Sequence, residues 1–150
     1  MKFSWTSLQI SIAGARLSHL VQKDKIWDHG SMIENSRILF YLVQKAMNTG
    51  KIESLKKHVT LSCYQELEKE MDSIKKKGLL NSNENPVITE LAVISVCERK
   101  NNKPDMFKAS IKGYLRKEGS TVLDNNQHRF SFNCSFVRQG DWWLLHEMKH

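Results

Sequence analysis

A chain of 150 residues fits one ordinary domain, and a domain of that size buries roughly 70% of its unfolded surface, enough for a core without disulfide staples. Apolar residues at 40% and charged residues at 26% mark a soluble globular chain and exclude the disordered and collagen-like classes. The formal charge of +7 favours anionic partners, and no run of about 18 apolar residues predicts a bilayer span.

The opening Met1-Lys2-Phe3 with Leu8, Ile10 and Ile12 faintly imitates a secretory signal, but Ser4, Thr6, Ser7, Gln9 and Ser11 interrupt its apolar core. Residues 5 to 23 read instead as an amphipathic helix. Ser4, Ser7, Ser11, Gly14, Ser18 and Gln22 form a polar stripe, with Trp5, Leu8, Ile12, Leu17, Leu20 and Val21 on the other faces. Its polar side lacks the lysines and arginines usual in a helix lying on lipid, so packing against its own domain or a sister chain is favoured over membrane contact. Residues 1–26 are taken as this N-terminal unit and 27–150 as the main domain.

After a turn-rich connector ending at Gly30, Ser31 with Glu34 has capping-box spacing. Met32, Ser36, Leu39, Phe40, Val43 and Met47 then line one face of a second helix that Asn48-Thr49-Gly50 stops. A short helix from about Ile52 to His58 follows. Thr60 caps a further helix in which Tyr64, Leu67, Met71 and Ile74 repeat at helical spacing, with Val59 and Tyr64 placed as a hydrophobic staple. It ends in Lys75-Lys76-Lys77-Gly78.

From Asn81 the period changes to two. A first strand, about Val87 to Glu98, is apolar on both faces and reads as central. A second sets Phe107, Ala109, Ile111, Gly113 and Leu115 against Lys108, Ser110, Lys112 and Arg116. A third sets Phe130, Phe132, Cys134 and Phe136 against Arg129, Ser131, Asn133 and Ser135, and a fourth aligns Trp142, Leu144, His146 and Met148. Asn101-Asn102-Lys103-Pro104, Glu118-Gly119-Ser120 and Gln139-Gly140-Asp141 close the connections. Helices first and hairpin-linked strands afterwards predict an α+β fold, with N-terminal helices packed on a four-stranded antiparallel sheet.

Several phrases in this order resemble the Tim-44-like domain family of the nuclear-transport-factor-2-like superfamily. They are Trp27-Asp28, then Phe40-Tyr41-Leu42-Val43-Gln44-Lys45-Ala46, then Leu61-Ser62-Cys63-Tyr64-Gln65-Glu66-Leu67, and finally Phe136-Val137-Arg138 followed by Trp142-Trp143-Leu144-Leu145. The likeness spans roughly residues 27 to 149, and a bacterial-type member is expected. It implies a cone-shaped fold in which helices close a curved sheet over an apolar cavity, to which Phe40, Tyr64, Phe107, Phe132 and Trp142 are assigned. Mitochondrial members anchor an import motor at the inner membrane, and many bacterial relatives are thought to be membrane-associated. Those mitochondrial members carry a long charged N-terminal region that this sequence lacks, so motor assembly is not expected.

The superfamily also houses isomerases and dehydratases, which set a carboxylate or histidine beside a tyrosine. Tyr41, Tyr64, Tyr114, Glu90 and His146 are the candidates, but no spacing pairs a base with an orienting partner, and no catalytic residue is assigned. Cys63, Cys97 and Cys134 stand far apart, and His128, His146 and His150 lack ligand spacing, so no metal and no cofactor is expected. Free thiols favour a reducing compartment, and the expected location is cytoplasmic, peripheral to the inner membrane.

Lys75, Lys76 and Lys77 with Lys56, Lys57, Lys51 and Lys69 make the helical half basic. Dispersed arginines disfavour nucleic acid, leaving anionic lipid as the better match. The expected function is a non-catalytic binding module on an anionic membrane surface or a membrane protein. Its contact surface is drawn from Trp5, Leu8, Ile12, Lys56, Lys57, Lys75, Lys76 and Lys77. The alternatives are an isomerase- or dehydratase-type enzyme using the cavity, and a homo-oligomeric scaffold subunit of a secretion-type assembly.

Overall fold

The computed structural model describes residues 4–99, 101–117 and 128–150; Met1-Lys2-Phe3 and the expected Glu118-Gly119-Ser120 connection lie outside them. The order is α1 (Trp5–Leu20), a 3₁₀ turn (Lys25–Trp27), α2 (His29–Thr49), a second 3₁₀ turn (Glu53–Lys57) and α3 (Leu61–Lys76). Strands β1 (Glu84–Cys97), β2 (Met106–Lys117), β3 (Arg129–Gln139) and β4 (Trp142–Lys149) follow. They form one antiparallel sheet in the order β1-β2-β3-β4, so the α+β expectation holds.

Helix ends follow local chemistry. The Ser4 hydroxyl accepts from the Ser7 N–H at 3.1 Å to open α1, and the Thr60 hydroxyl accepts from the Cys63 N–H at 3.3 Å to open α3, each satisfying an N–H that the helix leaves unpaired. Asp28, and not Ser31, caps α2. Its carboxylate accepts from both the N–H and the hydroxyl of Ser31 at 2.9 Å, and a negative charge there also suits the helix dipole. Gly50 at φ +81° closes α2, its N–H donating to the Ala46 carbonyl.

Two strands of the sheet depart from the expected pattern. β1 is an edge strand, not a central one. Its apolar residues fall on both parities because register shifts at Ile88/Glu90 and Val93/Ser95 each insert a residue and rotate the phase, so that Val93 and Val96 both turn inward. In β4 the inward residues are Trp143 and Leu145, while Trp142 is 60% exposed. A shift at Ser135/Phe136 skips His146 and brings Met148 opposite Cys134, so one parity does not run the length of the strand.

The core lies between the helices and the inner face of the sheet. Phe107 stacks on Phe136 at 4.6 Å and meets Trp143 edge-on at 4.8 Å, and Trp143 meets Trp27 at 5.2 Å. Nearer the other end Phe40 stacks on Phe130 at 5.3 Å, with Phe132 beside both. A side chain has no room at Gly113, where a Cβ would stand 1.9 Å from the Val87 carbonyl oxygen and 2.7 Å from the Phe130 ring. Both sheet edges are engaged. Arg16 Nη1 donates to the Val96 carbonyl of β1 at 3.1 Å. On β4, Thr60 N–H donates to the Leu145 carbonyl and Leu145 N–H to the His58 carbonyl. Such cover suppresses edge-to-edge pairing.

Candidate functional site

α1 presents its residues unevenly. Ala13, Leu17 and Leu20 are buried in the common core, and Thr6 and Gln9 complete the half-buried side. Trp5, Leu8 and Ile12 are 72%, 46% and 54% exposed. At 3.6 residues per turn these three point about 80 to 140° away from Ala13. The helix therefore packs through its second half, as its uncharged composition suggests, and leaves an apolar stripe bare along its first. The first ionisable side chain in it, Arg16, is turned back to β1.

The segment leaving α1 is held tightly. Arg138 Nη1 donates to Asp24 Oδ2 at 2.8 Å and to Asp105 Oδ2 at 3.2 Å, and its Nε donates to the Gly140 carbonyl at 2.8 Å. The hydrogen bond from Arg138 holds the Asp24 carboxyl below its usual range. Trp143 Nε1 donates to the Ile26 carbonyl at 3.3 Å. The core is thus shared by residues on both sides of position 26.

The five lysines assigned to the surface are all exposed, in two places. Lys56 and Lys57 flank the start of α3, where Lys56 Nζ lies 5.5 Å over the Tyr64 ring. Burial, with Lys57 alongside, holds neighbouring His58 below its usual pKa. Lys75, Lys76 and Lys77 stand at the other end of α3, roughly 16 Å along the helix from Tyr64. α1 packs on β1, and the two groups of lysines are held apart from each other by the length of α3.

Of the five residues assigned to a cavity, Phe40 and Phe132 meet, and the five do not line one space. Phe40 and Phe107 are buried in separate aromatic groups, and Phe132 lies against Phe40 and the His150 ring. Tyr64 sits under Lys56, and Trp142 points out of the fold. A groove of about 740 Å³ opens elsewhere, walled by Tyr41, Met47, Asn48, Ile74, Leu79, Pro86 and Leu115. Asn48 shapes one rim: its side chain exchanges hydrogen bonds with the N–H and carbonyl of Ser82 at 2.8 and 3.2 Å. Sequence reading missed this groove. Its available signals were Tyr41, off the buried stripe of α2, and Leu79, an apolar residue placed directly after Gly78.

The proton-transfer candidates lie apart. Thr60 Oγ1 stands 3.0 Å from His146 Nδ1, Glu90 forms an exposed ion pair with Lys112 at 3.9 Å, Tyr41 lines the groove, and Tyr114 is on the opposite face of the sheet. Cys63 and Cys134 are buried, and desolvation pushes their thiols up to about 11 and about 12, whereas Cys97 is exposed. Among the described residues no three His, Cys, Asp or Glu side chains form a group that could hold a metal ion, and no helix is long and apolar enough to cross a membrane.

A family model described as the Tim44-like domain matches residues 13–148, starting inside α1. Comparison with curated proteins by sequence gives no match. Among solved structures the fold is similar to the intermembrane space region of the chloroplast protein ARC6. The TM-score is 0.56 and the identity 13%, over 81% of this chain and 95% of that one.

Proposed function

Because this chain belongs to the Tim44-like domain family, we propose that it is a non-catalytic binding module that docks peripherally on a membrane surface or a membrane-bound protein. The observation that carries the reading is the stripe of Trp5, Leu8 and Ile12, left in solvent on a helix whose other side is fixed in the core. Exposed apolar rows of this kind mark contact surfaces, and tryptophan suits the boundary between lipid and water. The solved neighbour is a region of its own protein that lies in an intermembrane space, which fits a domain working beside a bilayer. In this reading residues 1–26 supply the docking helix and 27–150 the body that carries it. The lysines at the two ends of α3 draw the positively charged body toward anionic headgroups, at about 1 kcal/mol per lysine near such a surface. The location is the cytoplasmic face of an inner membrane.

Vesicle co-sedimentation tests this, using the full chain and a Trp5→Ser/Leu8→Ser/Ile12→Ser variant on neutral and anionic vesicles at two salt concentrations. The full chain is expected to pellet with anionic vesicles, more weakly at high salt, and the triple variant to stay in the supernatant. Equal pelleting of both proteins would remove α1 from the site. Absence of pelleting on every vesicle, with retention on protein-containing membranes, would assign the stripe to a protein partner.

A further inference from the structure

An antiparallel sheet with helices on one face presents polar side chains on the other, because that face meets water. Much of the outer face conforms, with Lys108, Ser110 and Lys112 on β2 beside Ser135, Asn133 and Ser131 on β3. One row does not. The pairings Cys97↔Met106, Met106↔Val137 and Val137↔Leu144 set four apolar side chains abreast across all four strands, and Trp142 extends the row two residues along β4. Trp142 and Cys97 are exposed and the other three half-buried. None of the five belongs to the core or to the half-buried residues packed on it.

We propose that this row is where a second copy of the chain docks, sheet face against sheet face, about a twofold axis parallel to the strands. Such an axis reverses the strand order of the partner. The row then matches itself, with Cys97 against the partner's Leu144 and Met106 against the partner's Val137.

The flanking charges favour a copy over other occupants. Arg99, Lys103 and Lys108 lie on the β1–β2 side and Asp141 and Glu147 on the β4 side, against Glu98 and Asp105 on the first side and Lys149, 3.6 Å from Glu147, on the second. Strand reversal lays the basic side of each copy over the acidic side of the other, whereas an anionic bilayer would be repelled by Asp141 and Glu147. Four strands about 4.8 Å apart and three rows about 7 Å apart give roughly 400 Å² per copy. The total of roughly 800 Å² is below what a permanent dimer buries, so the association is weak and reversible.

Sedimentation equilibrium of the full chain from micromolar to millimolar concentration tests this. The average mass is expected to climb toward that of a dimer. Val137→Lys should hold it at the monomer, Lys108→Glu should weaken the rise, and adding Glu147→Lys to Lys108→Glu should restore it. A Leu144→Cys variant should form an intermolecular disulfide with Cys97 under mild oxidation. The same two positions within one chain are three strand spacings apart, about 14 Å, beyond the reach of a disulfide. A monomeric mass at every concentration overturns the proposal, as does a dimer indifferent to Val137→Lys. Cross-linking of Cys97 to the partner's Cys97 overturns the axis. Loss of vesicle binding in Val137→Lys, with no change in mass, would make the row a lipid contact instead.

Discussion

α2 buries Met32, Ser36, Leu39, Phe40, Val43 and Ala46 along its whole length, whereas α1 buries only Ala13, Leu17 and Leu20 and leaves Trp5, Leu8, Ile10 and Ile12 in solvent. Both helices carry enough apolar residues to be core elements. What separates them is direction: the apolar residues of α2 fall on the side that meets the sheet, and those in the first half of α1 fall away from it. Apolar content alone therefore does not say which residues hold a fold together and which remain free for contact with something else.

Substitutions along these two helices put that difference to measurement. Phe40→Ala in α2 removes a ring packed on Phe130 and is expected to cost about 3–5 kcal/mol by denaturant unfolding. Leu17→Ala, in the packed half of α1, is expected to cost about 2–3 kcal/mol; a value near zero would mean that α1 rests on the domain without contributing to its core. Arg138→Gln releases Asp24 and Asp105 and is expected to cost up to about 1 kcal/mol, since both partners of the Asp24 pair are partly solvated. The sign of its pH dependence follows from Asp24, whose pKa is lowered in the folded chain. Its stabilisation is present above the unfolded carboxylate pKa and is lost as pH falls through the folded value. In Arg138→Gln that part of the acid sensitivity should vanish from melting curves recorded below about pH 4. Smallest of all, Trp5→Ser/Leu8→Ser/Ile12→Ser is expected to shift stability by no more than about 0.5 kcal/mol. A loss of several kcal/mol would show that the stripe is structural and break the contrast between the helices.

Much of this architecture was legible in the residues. The α2 stripe, the Thr60 cap, the alternation of β2 and β3 and the hairpin at Gly140 each arise from a local rule that holds in the fold. The parity of β4 and the edge position of β1 were not legible. In β1 two inserted residues put apolar side chains on both parities, which imitates a strand covered on both faces, and in β4 the skip at His146 breaks the alternation; one residue of slip exchanges the two faces of a strand without altering composition. The surface was half legible. The expected helix bounds already set Lys56 and Lys57 before α3 and Lys75, Lys76 and Lys77 at its end, but spacing could not tell which side of α1 the packing would leave bare, with Trp5, Leu8 and Ile12 exposed. The grouping of Phe40, Tyr64, Phe107, Phe132 and Trp142 failed for a related reason. An aromatic residue on a strand has the same signature whether its ring fills a core, lines an opening or faces water, and only the pairing of strands decides among them.

The knot at Arg138 bears on how the molecule meets its surroundings. Only three residues separate the end of α1 from Asp24, and the guanidinium that grips Asp24 also grips Asp105 and the Gly140 carbonyl at the two hairpin turns. With Arg16 fastened to β1 as well, α1 behaves as a bracket and not as a tether. A surface that took hold of Trp5 and Ile12 would thereby fix the tilt of the strands above it, and the compass heading of the outer sheet face would be set by the chain itself.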